Sequence, residues 1–198
     1  MKCNCRAISI LPGFIDFTGW HMFLDFIKTR RSIRRFTEKP IEKEKISLLI
    51  EAALRSPSSR GFNPWQFVVI DDKKLLEALS RSKPHGSGFL KGASLGIAVL
   101  SDVSQSDVWV EDAAIASIFI HLAAHDLGLG SCWIQIRKRE HDTDKSADTY
   151  VKEILKIPDH LRVQSIIAIG YPDEIKNGHP KDALLFDKIS FNAYGIKN

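Results

Sequence analysis

An α+β fold, a sheet flanked by helices, is the architecture this sequence predicts, and three observations lead to it. Short apolar runs of strand length alternate with segments in which apolar residues recur every three or four positions. Residues Val110 to Leu127 are apolar nearly all round, the pattern of a helix buried on most of its faces. After the last strand a long tail runs to Asn198 with apolar residues but little periodicity. The last two features do not fit a simple repeating βαβ unit.

Taken in order, residues 22–31 read as a short helix, followed by a turn through Thr37 and Pro40. Over 41–55, Ile46, Leu49, Ile50, Ala53 and Leu54 share one helical face, and Glu42 and Glu44 stand in the first turn, where the helix dipole favours them. Ser56 to Pro64 holds Pro57, Gly61 and Pro64, which neither a helix nor a central strand accommodates, so it reads as a structured loop anchored in the core by Trp65. Gln66 to Ile70 is a strand, and Asp72 to Ser82 a helix with Leu75, Leu76 and Leu79 inward. Gly86 to Gly92 reads as a flexible loop; Leu95 to Leu100 is a second strand. The apolar helix follows, through Ala114, Ile118 and Ala123, as a core or subunit-interface element ended by Gly128 and Gly130. Ser131 to Ile136 is a third strand, Asp144 to Lys156 a helix closed by Pro158, and Val163 to Gly170 a fourth strand.

No linker or composition shift divides residues 22–198, which are expected to form one domain. Residues 1–21 read as a poorly ordered extension. Lys2 and Arg6 precede an apolar run, but Pro12, Gly13 and Asp16 interrupt it and no small-x-small cleavage site follows. The more regular segment starts at Met22, where translation could begin.

The chain has 198 residues, 44% hydrophobic and 26% charged, an ordinary globular composition. No stretch approaches the roughly 20 apolar residues of a spanning helix, so no membrane association is expected. The net charge of +4 is concentrated near residues 28–45, which suits a small anion better than a nucleic acid. Cys3, Cys5 and Cys132 lack the paired spacing of a disulfide framework or zinc site, and a reducing cytoplasm is the expected location. His121 and His125 are four apart, but Leu122 stands where a zinc-protease helix needs glutamate. No metal is expected there. Gly86-Ser87-Gly88-Phe89-Leu90-Lys91-Gly92 imitates a dinucleotide fingerprint, yet its last gap is too long and it precedes a strand. Cys132 reads as a small buried hydrophobe, and Trp109 and Trp133 as packing residues that could border a substrate pocket.

Arg30-Arg31-Ser32-Ile33-Arg34-Arg35 sets guanidinium forks and a hydroxyl side by side at a helix end. A phosphate monoester dianion needs that combination of planar bidentate donors and a short neutral donor. Alone, the cluster is better read as a solvated patch complementing the helix C-terminus. The loop Pro57-Ser58-Ser59, with Asn63, changes the balance by offering backbone N–H groups and hydroxyls to a ligand.

Three separated motifs resemble the FMN-dependent nitroreductase family: Arg30 to Phe36, Pro57-Ser58-Ser59 with Asn63-Pro64-Trp65-Gln66-Phe67, and Gly128-Leu129-Gly130-Ser131-Cys132-Trp133-Ile134. The later Ile169-Gly170-Tyr171-Pro172 is also similar, and coverage is about residues 22–198. The resemblance implies a mostly antiparallel sheet and a homodimer with an extended C-terminal tail. It implies that Arg30, Arg31, Ser32 and Arg34 contact FMN along its phosphate, ribityl chain and pyrimidine edge, where positive charge would stabilise the anionic reduced flavin. Pro57, Ser58 and Ser59 would come from the partner subunit. Trp133, Ile134 and Gln135 would place backbone groups beside flavin N5 and O4, and Lys181 would assist at the phosphate. Gln135-Ile136 stands where glycine is often found, and Gly61 where asparagine is common.

The function implied is hydride transfer from NADH or NADPH through flavin N5 to a small acceptor, such as a nitroaromatic, a quinone or a flavin, by a ping-pong mechanism without an obligatory acid/base side chain. Two rivals remain. A non-catalytic flavin-binding or sensing protein would keep every motif, whereas a basic nucleic-acid-binding module would explain only the arginines and would show a steep salt dependence.

Overall fold

In a computed structural model describing residues 22–197, four strands form one sheet: β1 (Trp65–Ile70), β2 (Leu95–Asp102), β3 (Gly130–Gln135) and β4 (Leu161–Gly170). Their order is β1-β2-β4-β3, and each neighbouring pair is antiparallel. The expectation for residues 1–21 lies outside the described residues.

β2 over Leu95–Leu100 and β4 over Ile166–Gly170 are apolar throughout because helices cover both faces of the sheet. On one face α3 (Lys73–Ser80) and α5 (Ala147–Leu155) place Leu76, Leu79 and Val151 against Leu100, Ile134 and Ile166. On the other, α2 (Lys43–Leu54) and α4 (Trp109–Asp126) bring Leu49, Ala53, Ala113 and Ile120 onto Ile97, Val99, Ile167 and Ile169. A short α1 (Met22–Thr29) precedes them. This is an α+β fold of five α-helices and four antiparallel strands among the described residues, and no helix there is long and apolar enough to cross a membrane.

Several local readings are refined by specific contacts. The first helix stops at Thr29, and the arginine segment beyond it is extended. α5 begins three residues later than its periodicity suggests, because Asp142 Oδ1 accepts from the N–H groups of Asp144 (2.9 Å) and Lys145 (2.8 Å) and holds a turn there. Ser146 is the actual cap, its hydroxyl accepting from Thr149 N at 3.1 Å. The glycine-rich 88–92 stretch is not a loose loop. It is a short 3-10 turn whose Leu90 is fully buried, and the buried Ser87 hydroxyl before it donates to Ser80 O at 2.8 Å. Pro64, not Trp65, is the buried residue at the entrance to β1; Trp65 is half-buried beside Phe67. α4 buries one face only, leaving Ile115 36% and Ile118 43% exposed, an unpartnered apolar strip in this chain.

Candidate functional site

Two segments that are far apart in sequence meet along the end of β3. Beyond Thr29 the chain runs beside that strand: Ser32 pairs with Ser131 in parallel sense, and Ile33 N–H donates to Ser131 O at 3.0 Å. This approach depends on glycine. A Cβ at Gly130 would lie 2.8 Å from Ile33 Cβ, and one at Gly170 would lie 2.9 Å from the Phe36 ring.

Residues 171–177 then strap the segment from its other side. Thr37 N–H donates to Tyr171 O and Asp173 N–H to Arg35 O, both at 2.9 Å. Glu174 Oε1 accepts from the backbone N–H groups of Arg34 (2.5 Å) and Arg35 (3.2 Å). Lys176 Nζ donates to Ser32 O and to Glu174 Oε1, each at 2.9 Å, and the Arg31 guanidinium donates to Asn177 O. Farther along, Tyr171 OH donates to Glu42 Oε2 at 2.5 Å and receives Lys45 Nζ at 3.0 Å.

The strap leaves the cations unevenly neutralised. Glu174 answers Lys176 and Arg35, but among the described residues no carboxylate pairs with Arg30 or Arg34. Both lie near enough to Cys132 for their charges to act on its thiol, as do Ser32 and Lys176, and the Arg34 guanidinium lies over the Phe89 ring at 5.8 Å. Burial pushes the Cys132 thiol up and these cations pull it back, so the net effect keeps it protonated. His121, one turn back on α4, is buried, with Nδ1 2.7 Å from Ser131 Oγ and its ring parallel to Trp133 at 6.5 Å. Burial, then the Arg30 charge, lowers its pKa to about 4, so it is neutral at physiological pH.

Strap and acid stability are linked. The Glu174 carboxyl sits at about 2, held down first by the Arg34 N–H and then by the Lys176 ammonium; Glu42 is lowered to about 2 chiefly by the Tyr171 hydroxyl. A carboxylate with a depressed folded pKa stabilises the fold above its unfolded pKa, and loses that contribution as pH falls through the folded value. The thermal midpoint should therefore drop between about pH 4.5 and 2. A Glu174→Gln, Glu42→Gln chain followed by circular dichroism should show a flatter profile over that interval; identical slopes would refute the linkage.

Next to the strap, β3 offers an open edge. Backbone groups of an antiparallel strand alternate in direction, and Ser131 O points away from β4, toward Ile33. By the same alternation Trp133 and Gln135 turn their N–H and C=O groups outward, whereas Cys132 and Ile134 bond to β4. Ile134 is fully buried. The Gln135 side chain accepts from Trp133 Nε1 and donates to Arg137 O, both at 2.9 Å, so its orientation is set on two sides.

The 57–63 loop is shaped by its own bonds and by α4. Ser58 Oγ donates to Asn63 Oδ1 and accepts from Asn63 N, each at 2.8 Å, while Arg60, Gly61 and Asn63 adopt positive φ of 52°, 68° and 48°. Asp112, 2% exposed, accepts from Ser59 N at 2.8 Å and from Ser106 Oγ at 2.9 Å. Hydrogen bonds to a buried charge contribute about 1.5–3 kcal/mol each, and truncation leaves both donors unmatched. Asp112→Ala should thus cost about 3 kcal/mol in urea unfolding. A loss below ~0.5 kcal/mol would show that the carboxylate does not pin the loop.

Loop and arginine segment do not meet within one chain. The loop enters β1 at Trp65, level with Ser101 and Arg162, whereas the arginine segment flanks β3 at Ser131, level with Ile169 and Leu95. They occupy diagonally opposite corners of the sheet. Along α4, Asp112 and His121 mark the two ends of this separation, roughly 13 Å apart at 1.5 Å per residue. Of the sequence-predicted residues, Arg30, Ser32, Arg34 and the β3 edge thus come together, Arg31 is turned to Asn177, Pro57, Ser58, Ser59 and Asn63 lie at the far corner, and Lys181 stands exposed in a tail turn, Lys181–Ala183. Lys176, Glu174, His121 and Asp112 were missed. Only the long-range contacts reveal their roles; the local signals were the acidic pair Glu111-Asp112 at a helix start and the His121/His125 spacing, which pointed to a metal instead.

The sequence profile of the nitroreductase family matches residues 27–85 and 80–171. A Methanothermobacter thermautotrophicus protein provisionally assigned as an NADH dehydrogenase/NAD(P)H nitroreductase is 35% identical over 83% of this chain and 82% of its own length. The structure of an FMN-dependent nitroreductase from Clostridium difficile R20291 superposes with a TM-score of 0.85 at 46% identity, covering 86% of this chain and 99% of that one. A structure of the same provisional NADH dehydrogenase/NAD(P)H nitroreductase kind, from Bacteroides thetaiotaomicron, gives a TM-score of 0.79 at 31% identity, covering 86% and 97%.

Proposed function

The chain belongs to the nitroreductase family of NAD(P)H-dependent flavin oxidoreductases, and from that premise we propose that it holds FMN beside β3 and passes electrons from NADH or NADPH to a small acceptor. The observation that carries this reading is the pair of uncompensated guanidinium groups, Arg30 and Arg34, set with Ser32 against an open strand edge. That donor set fits FMN: forks and a hydroxyl for the phosphate, and outward N–H and C=O groups for the polar edge of a planar ring.

FMN held there would supply hydride transfer at N5 between the nicotinamide and a small acceptor such as a nitroaromatic, quinone or flavin, which would use the same place by a ping-pong mechanism. The protein's part is binding, orientation and charge. Arg30 and Arg34, which no carboxylate neutralises among the described residues, would hold positive potential over the site, the charge that favours an anionic reduced cofactor. Trp133 and Gln135 present edge groups fixed by the sheet and by the Gln135 side chain, with Ile134 anchoring that strand in the core. No side chain has to move a proton: His121 is buried, neutral and tied to Ser131.

A homodimer completes the site in this reading. The Pro57-Ser58-Ser59 loop, with Asn63, is displaced from the arginines of its own chain and is supplied to those of a partner. Ile115 and Ile118 on α4 and Leu184, Leu185, Phe186, Ile189 and Phe191 of the tail provide exposed apolar area for such a contact, and Lys181 is carried by the same tail. Anaerobic titration tests the reading: the yellow protein should bleach with NADH or NADPH and recover its colour on adding a nitroaromatic or quinone. Flavin that neither nicotinamide bleaches would identify a binding protein without turnover.

A further inference from the structure

Two residues past Gln135 the chain enters a cleft of about 380 Å3 that no part of the flavin site uses. Trp109, the turn Arg137-Lys138-Arg139, Arg162 and Asp148 line it. The Arg137 guanidinium lies over the Trp109 ring at 5.5 Å. The turn is held in shape. Lys138 takes a left-handed φ of 55°, Arg139 N–H donates to Ile136 O at 3.1 Å, and Ala147 N–H closes on Arg139 O at 2.8 Å. Arg162 is answered by Asp148 at 3.8 Å, but among the described residues none of Arg137, Lys138 and Arg139 forms an ion pair.

Three uncompensated cations and an aromatic wall around a concave space suit a ligand carrying both phosphates and a flat ring. Guanidinium forks match phosphate oxygens, and a purine stacks on an indole or a guanidinium plane. A long polyanion suits the cleft less, since the carboxylates of Glu140 and Asp148 also line it. Gln135 connects the cleft to the β3 edge, donating to Arg137 O at 2.9 Å. A dinucleotide whose reactive ring packs on a flavin held at that edge has to send its diphosphate and adenosine past the flavin, and this cleft is a basic concavity next to Gln135.

We propose that the Trp109/Arg137–Arg139 cleft receives the phosphorylated adenosine half of the nicotinamide donor. This rests on the flavin site proposed above, and the test separates the two. The FMN-loaded protein and its Arg137→Ala, Arg139→Ala variant are titrated calorimetrically with 2′,5′-ADP, and NADPH kinetics are run in parallel. In the wild type 2′,5′-ADP should bind and compete with NADPH. In the variant its affinity should fall about tenfold or more and KM for NADPH should rise equally, with kcat and flavin content unchanged, as expected for lost charge-assisted contacts to a substrate part remote from the chemistry. Arg137→Lys, which keeps charge but loses the planar fork, should fall between the two. Unchanged KM and probe affinity would overturn the assignment, and so would inorganic phosphate binding as tightly as 2′,5′-ADP, which marks a general anion site. A colourless protein would sink the flavin reading alone, because the 2′,5′-ADP titration still decides the cleft.

Discussion

Replacing Arg30 and Arg34 together by alanine is expected to leave the protein folded and colourless. Neither side chain has a carboxylate partner among the described residues, and Arg34 is exposed, so the fold loses little by their removal. Arg34 is held in place by its backbone, through Glu174, and that bond survives the substitution. Charge-assisted hydrogen bonds are worth about 1.5–3 kcal/mol each, so the pair should cost about 3–6 kcal/mol, a factor of roughly 10² to 10⁴ in the FMN dissociation constant. Quenching of flavin fluorescence on titration reads that factor directly, and an unchanged far-UV spectrum certifies the fold. A double variant that stays yellow with the affinity of the parent would remove the arginines from the site.

Almost as large an effect is expected from mixing defective chains. If loop and arginines of one site come from two subunits, an Arg30→Ala, Arg34→Ala chain and a Ser58→Asp chain fail for different reasons. Ser58→Asp sets a negative charge toward the flavin bound by the other subunit, which repels an anionic ligand. Each homodimer should bind FMN poorly. In a mixed dimer both lesions fall on one site and the other is assembled from two sound halves, so one flavin per mixed dimer should bind with the affinity of the parent. Co-expression with two different purification tags isolates that species. A mixed dimer no better than its parents would mean that each chain builds its site alone, against the separation of the two elements at opposite corners of the sheet.

Most elements were legible because their signals are local. The apolar faces of α2 and α3, and the strand-length runs of β1 and β2, each depend on neighbours in sequence. α4 was located almost to the residue, although its uniform apolarity hid which face is buried: Ala113, Ile120 and Ala124 pack inward, while Ile115 and Ile118 do not. The start of α5 was misplaced because Asp142 satisfies the backbone of a turn that periodicity does not register. At the site, the arginine segment could be found from charge and motif. The strap could not. Glu174 and Lys176 lie about 140 residues away in sequence from the backbone groups they bind, and nothing in Asp173-Glu174-Ile175-Lys176 distinguishes them from an ordinary polar tail. His121 likewise looked like half of a metal motif until its bond to Ser131 showed an uncharged prop beneath the strand.

The open edge of β3 has a further meaning for the life of the chain before it is loaded. The arginine segment covers that edge only at Ser131, and the outward N–H and C=O groups of Trp133 and Gln135 form a short template on which a strand from another molecule can grow. A ring hydrogen-bonded edge-on there in the proposed manner would act as a stopper as well as a reagent. Protein without flavin would then be more prone to edge-to-edge association than the loaded protein.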